Sequence, residues 1–260
     1  MSAAASVREE VVPDGIPSFR ERLLGVLRRP TATFEAMTDP EAWLWPAVFL
    51  LAGYTVYFLA YGVGGARWQL GWMYSLMTTG NSPTDQATAQ AVRNMLAWLA
   101  PASQLFGNLL SVPMMVAASW AVRSGVFYGL ARLLGGAKPP PGRVAAMVGW
   151  AWVPLLFQYS LVGVLMLAVP QVMSFFLPLP AEGGMPKAGE ALNTQWHGQM
   201  LFYLSPFVFW NLALCVLGVA ELFRLPRWKA SIVVLVPAVL QLFYLLATYV
   251  LSAMLLKTFE

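Results

Sequence analysis

Residues 42–66, 94–122, 144–181, 191–220 and 230–256 contain no Asp, Glu, Lys or Arg. Each stretch can hold the roughly 20 apolar residues that an α-helix needs to cross ~30 Å of hydrocarbon. The chain therefore reads as an all-α integral membrane protein, a five-transmembrane-helix bundle with short amphipathic or interfacial helices beside it. Composition agrees. Of 260 residues, 58% are hydrophobic and 11% charged, against about 25% charged in an ordinary soluble domain. A soluble fold this apolar would expose large greasy patches.

The first 42 residues hold seven acidic residues and five Arg ahead of any apolar run. A secretory signal has a short apolar core behind a basic start, so the first span is expected to stay in the membrane. Cys215 is the one cysteine and can form no internal disulfide. It is expected to be a small buried apolar group. Arg outnumbers Lys, and Ala and Pro are abundant, which points to a GC-rich bacterial source and the bacterial cytoplasmic (inner) membrane.

Three regions are expected. Residues 1–42 form a cytoplasmic tail with an amphipathic helix over about 18–29. Residues 43–256 form a single membrane domain with spans over about 43–65, 102–122, 144–167, 200–220 and 231–256. Residues 257–260 are a C-terminal tail. Trp43 and Trp45 anchor the first span at the headgroups. Residues 68–80 are apolar but too few to cross, so an interfacial or re-entrant segment is expected there. Ser82, Pro83 and Asp85 have the order of a helix start, with Ser as N-cap and Pro at the first helical position. That helix is expected to run to about Leu99. Span two should continue as helix to about Leu134, with Pro101 and Pro113 starting or kinking it. Pro154, Pro206 and Pro237 fall in or at the start of the last three spans, where membrane helices tolerate them.

Basic residues alternate along the chain. Five lie in the N-terminal tail, four in 123–143 and three in 221–230. Two lie in 66–100, one in 170–200 and one at the C-terminus. The positive-inside rule then makes the N-terminus cytoplasmic and puts the C-terminus on the opposite side. An odd number of spans requires the same.

Before the first span, SFRERLLGVLRRP places Phe19, Leu23, Val26 and Leu27 on one helical face, with Arg20, Arg22, Arg28 and Arg29 near them. That is the pattern of a helix lying on an anionic leaflet. A helix packed on the protein's own cytoplasmic loops would carry the same pattern. Pro30 ends it, and a second short helix over Thr31–Met37 is expected to follow.

The chemistry open to such a chain is narrow. One histidine, His197, excludes a two-His zinc motif, and no phosphate loop or nucleophile elbow occurs. Asp14, Asp39 and Asp85 all lie outside the spans, so no intramembrane aspartate pair exists. His197 is expected as a solvated loop residue. No catalytic, cofactor-binding or metal-binding residue is expected, and no nucleic-acid partner. Glu221 is the acid nearest a span and is expected to pair with Arg224 at the interface.

Neutral polar residues do enter the spans. Gln104, Asn108, Gln158, Asn211 and Gln241 could line a polar path or hydrogen-bond between helices. Ala117, Ala121, Gly125 and Gly129 recur every four residues, a small-residue ridge that lets a second helix approach closely. The expected neighbour is another span of this chain, with homodimerisation as the other use.

Three stretches resemble the Yip (Ypt-interacting protein) family in its short bacterial form. They are RRPTATFEAM before the first span, LLGGAKPPPGRVAAMVGWAWVPLLFQ into the third, and FVFWNLALCVLGVAELFRLPRWKASIVVLVPAVL across the last two. The resemblance rests on the Pro-x-x-x-Phe of Pro30 and Phe34, the Gly-Gly turn, and Gly149, Trp150, Ala151, Trp152 and Pro154. It implies five helices and a cytoplasmic N-terminus. It carries over no catalytic residue. The short N-terminal region and the Pro-Pro-Pro after the Gly-Gly turn depart from the family pattern and weaken transfer of its link to Rab-type GTPases. The function expected is that of a non-enzymatic membrane-organising or partner-recruiting scaffold. Its partners would be the lipid bilayer, other membrane proteins or a second copy. The alternative is a transport protein, a pore or lipid-handling groove lined by the neutral polar residues.

Overall fold

The structure is a computed structural model that describes residues 18–36, 44–77, 83–169 and 188–259. Among the described residues the chain forms helices and no strand. Local signals set several helix starts. Ser18 and Glu21 make a capping box on α1 (Phe19–Arg28): the Ser18 amide donates to Glu21 Oε2 at 2.7 Å, and the Glu21 amide donates to Ser18 Oγ. Pro30 opens α2 (Pro30–Ala36), where its missing N–H costs nothing. Ser205 caps α8 (Pro206–Phe223), again with Pro at the first position.

α3 runs unbroken over Leu44–Met77. Residues 68–77 therefore continue the first helix rather than forming a separate interfacial or re-entrant segment; 78–80 lie outside the described residues. No proline lies between Pro46 and Pro83, so nothing forces a break. α4 spans Pro83–Leu133, 51 residues, about 77 Å at ~1.5 Å per residue. The expected boundary between a helix ending near Leu99 and span two is absent. Pro101 deletes one backbone hydrogen bond, and packing along α3 carries the helix through it.

The expected third span is divided. α5 (Pro141–Ala151) and α6 (Val153–Ala168) meet at Trp152 with a 40° bend. Pro154 has no N–H to return to Trp150, and its ring crowds the preceding turn. The region read as a loop over 170–200 includes α7 (Ala188–Tyr203), so exposed His197 is helical. α7 ends at Tyr203, and the fourth apolar helix is α8, shifted from 200–220 to 206–223. α9 covers Arg227–Phe259 through Pro237. Pro206–Phe223 and Arg227–Leu255 are each long and apolar enough to cross a membrane, as are α5 and α6 taken as one bent span.

Neighbour pairs give the directions. Gly53 meets Leu156 and Gly163 meets Tyr57, so α3 and α6 run parallel. Asn211 bonds Ala151, and Ser205 bonds Gln158, so α8 runs against them. Trp196 stacks on Tyr249, which sets α7 against the far half of α9. The core runs from Val26 and Phe34 under the bundle, through Met147, Trp150 and Val219, to Leu156.

Candidate functional site

Two places hold the residues singled out in the sequence: the end of the bundle that carries the basic segments, and the interior between α6 and α8.

At the basic end two helix C-termini are tied together. In α4 the Gly136 amide donates to Ala131 O at 2.9 Å and the Gly135 amide to Arg132 O at 3.1 Å, with Gly135 at φ 85°. In α8 the Leu225 amide donates to Ala220 O at 3.0 Å and Arg224 takes the left-handed position, φ 52°. Both are Schellman endings. The Ala137 amide then donates to Phe223 O at 2.7 Å, and Lys229 Nζ to Leu134 O at 3.0 Å. Arg224 serves a backbone turn, and no ion pair joins it to Glu221 among the described residues. Both side chains are exposed.

α1 and α2 close this end. Phe34 and Val26 are 0% exposed, and Phe34 lies against Gly218 and Met147. Arg143 Nη2 reaches Glu35 O at 3.4 Å. The apolar face of α1 is thus turned into the protein, the alternative to lying on lipid. Of the four arginines, Arg22 is buried, while Arg20, Arg28 and Arg29 are exposed. Arg132, Lys138, Arg224 and Arg227, in and around the two stitched helix ends, are exposed as well. The lowered pKa of Glu21 follows from the Ser18 amide first and the Ser18 hydroxyl second, both of which favour the carboxylate.

In the interior, Gln158 and Asn211 are buried and answer separate needs. Asn211 Nδ2 donates to Ala151 O at 2.7 Å, the last carbonyl of α5. Gln158 Nε2 donates to Phe202 O at 3.0 Å, while its Oε1 accepts from Ser205 Oγ at 2.9 Å. Gln241 is exposed and donates to Tyr203 Oη at 3.0 Å. Gln104 and Asn108 lie on α4, with side chains outside those described. Among the described side chains, Gln158, Asn211 and Gln241 each make a separate contact. A cavity of about 190 Å³ opens beside Gln158, Phe202, Ser205 and Phe207. Next to it, Tyr159 packs on Tyr54, Tyr57 and Phe202 with centroids 4.2, 5.3 and 5.1 Å away. Nothing in the spacing of these aromatics marked them in advance.

The small-residue ridge faces outward. Ala117, Ala121, Gly125 and Gly129 are exposed, and a Cβ on either glycine would meet nothing within 4 Å. The expected contact with another span is corrected: α4 turns Val116, Trp120, Phe127 and Ala131 inward instead, because the bulkier stripe buries more apolar area. Close approach uses other glycines. Gly163 lies against the Tyr57 backbone, Gly218 against Met147, and Gly149 against Trp120 and Pro46. Of the packing candidates, Gly149 and Pro154 are buried. Cys215 is buried beside Asn211, and no group of metal-binding side chains occurs among the described residues.

A model of the Yip1 domain matches residues 24–249. The chain belongs to the Yip1 family. No curated protein and no solved structure matches it. Family membership and the apolar helices α8 and α9 make this an integral membrane protein. The resemblance in Yip1 sequence has a physical basis here. Pro30 starts the helix whose Phe34 fills the basic end, and the Gly-Gly pair ends α4 where it is stitched to α8.

Proposed function

We propose that this Yip1 protein is a non-enzymatic scaffold or accessory subunit of the bacterial cytoplasmic membrane, crossing it five times through α3, α4, the bent α5–α6 pair, α8 and α9. It recruits partners at its basic end, which lies in the cytoplasm by the positive-inside rule. The observation that carries this reading is the use made of Gln158 and Asn211. Among the described residues, each of these two buried amides is engaged in a contact between helices, the use a packing role predicts. The stitched helix ends beneath a solvent-facing basic surface supply a rigid platform, the form in which docking loses least ordering entropy.

The cavity beside Gln158 favours a second reading, a lipid-handling groove. Its volume of about 190 Å³ is below the ~300–1,000 Å³ of usual ligand pockets, which is why we place it second.

Cross-linking in native membranes, followed by identification of co-purifying chains, tests the first reading. Defined partners should be recovered with the parent and lost with Arg28→Glu/Arg29→Glu. Recovery of the chain alone sinks the scaffold role. Reporters placing both chain ends on one side of the membrane sink the five-span arrangement.

A further inference from the structure

Among the described side chains, the inward stripe of α4 contains one charged residue. Counting by three and four from Val116 gives Trp120, Arg123, Phe127 and Ala131, and Arg123 is half-buried between the turns of two buried aromatics. Its guanidinium sits 5.1 Å from the centroid of the Trp152 ring. It is within electrostatic reach of Tyr54 on α3 and Cys215 on α8. Among the described residues no carboxylate and no hydrogen-bond acceptor engages it. A guanidinium carries five donors and cannot discard its charge. Within a membrane bundle such a group is expected to have a counter-charge.

A second observation lies on the same ring. Trp152 is 4% exposed, and its Nε1–H is buried with no acceptor. Trp152 stands at the junction of α5 and α6, so its position is fixed by the Pro154 break and not by a regular helix face. Buried donors in native folds nearly always have partners. Here a permanent cation and an indole N–H lack an acceptor together, while Trp120 of the same stripe does have one, donating to Ala145 O at 2.8 Å. A group that would serve both donors is an anion with several acceptor oxygens. A phosphate group fits, because a guanidinium binds it through two parallel N–H bonds and leaves further oxygens free.

We propose that Arg123 and Trp152 form a binding site for a phosphate group, supplied by the headgroup of a single phospholipid drawn against α4 and the α5–α6 junction. Arg123 neutralises the phosphate charge, and the Trp152 N–H takes a remaining oxygen. The lipid would then be a structural component of the bundle, distinct from the fluid shell attracted by the exposed arginines.

The test uses the full chain, purified in detergent and stripped of lipid. It is titrated with phosphatidylglycerol and with diacylglycerol, which has the same tails and no phosphate, and bound lipid is counted by native mass spectrometry. The parent should retain one phosphatidylglycerol and not diacylglycerol. Arg123→Gln should weaken retention about tenfold, as loss of a charge-assisted bidentate contact implies. Trp152→Phe keeps the ring and removes the N–H, and should weaken it about threefold. Ser119→Ala, exposed on the outward side of α4, should leave it unchanged. In a second arm, inorganic phosphate alone is added and thermal stability followed. A stabilisation lost in Arg123→Gln, with no lipid retained, assigns the same site to free phosphate. Equal retention of phosphatidylglycerol by parent and Trp152→Phe, equal retention of diacylglycerol, or no response to either phosphate source overturns the proposal. Should Arg123→Gln fail to fold, Trp152→Phe decides it.

Discussion

Asn211 of α8 donates its side-chain amide to the Ala151 carbonyl across a 2.7 Å bond, at the point where the helix of the expected third span breaks. The bend at Trp152 takes the α5 carbonyls out of register with α6, and in an apolar interior no water can reach them. A neighbouring helix supplies the donor. A related arrangement recurs one level further along, where α7 ends at Tyr203 and Gln158 of α6 donates to the Phe202 carbonyl in its last turn. Two helix interruptions are thus each satisfied by one amide from the helix alongside.

Asn211→Leu should therefore destabilise the bundle by about 1–2 kcal/mol, since it leaves the buried Ala151 carbonyl without a partner. Thermal unfolding in detergent, followed by tryptophan fluorescence, measures this. Asn211→Asp should be worse, because an ionised carboxylate would face a carbonyl oxygen. A variant with parental stability would mean that Ala151 finds another donor.

Glycine positions on opposite faces should respond with opposite sign. A Cβ at Gly163 would stand 3.0 Å from Tyr57 Cα and 3.1 Å from its amide nitrogen. Backbone atoms cannot yield singly, so Gly163→Ala should force α3 and α6 apart at a cost of about 1–3 kcal/mol. Gly125→Ala meets nothing within 4 Å, and replacing an open helical glycine should leave stability unchanged or raise it by up to ~1 kcal/mol. Melting temperatures of the two variants, measured side by side in one detergent, check the sign.

These contrasts show what could be read in advance. The apolar stretches and the Ser-Pro starts are local in origin, so helices near the expected spans follow directly from them. Ser205-Pro206 was such a signal, yet charge-free composition alone runs past it and misplaces the start of α8. Periodicity revealed the Ala117–Gly129 ridge but carries no sign. A stripe of small residues and the stripe of Val116, Trp120 and Phe127 are equally regular, and only packing decides which faces inward. Asn211 was legible as an interhelical donor. Its acceptor was not, because the Ala151 carbonyl becomes available only once the helix bends. Glycines such as Gly53, Gly163 and Gly218 lie singly in apolar runs and have no pattern to betray the close contacts they permit.

The paired helix endings at the basic end allow a reciprocal experiment. Gly135 holds φ 85° and Arg224 φ 52°, both in the left-handed region, where a Cβ costs roughly 1–2 kcal/mol. Gly135→Ala should lower stability by about that amount and loosen the Ala137–Phe223 bond that follows the turn. Arg224→Gly removes the strain and should be neutral or stabilising by up to ~1 kcal/mol, the gain being offset by the freer unfolded chain. Partner recovery from native membranes separates the two roles of Arg224. A more stable Arg224→Gly protein that loses its partner would place the arginine's value in its charge, at the expense of its turn.

The Ser18–Glu21 capping box predicts a pH response confined to α1. The folded pKa of Glu21 is lowered by the Ser18 amide first and the Ser18 hydroxyl second, both of which favour the carboxylate. A group whose folded pKa is depressed adds stability above its unfolded pKa, about 4.3 for a glutamate, and loses it as pH falls through the lower folded value. The start of α1 should hold firm at neutral pH and fray only as the medium becomes more acidic than the ordinary carboxylate range. A spin label at Leu24, half-turned to solvent, reports this as increased mobility in acid. Glu21→Gln keeps a side-chain acceptor for the Ser18 amide but cannot titrate, so its label mobility should be flat over the same range. An equal acid response in both would assign the fraying to the bundle as a whole rather than to the cap.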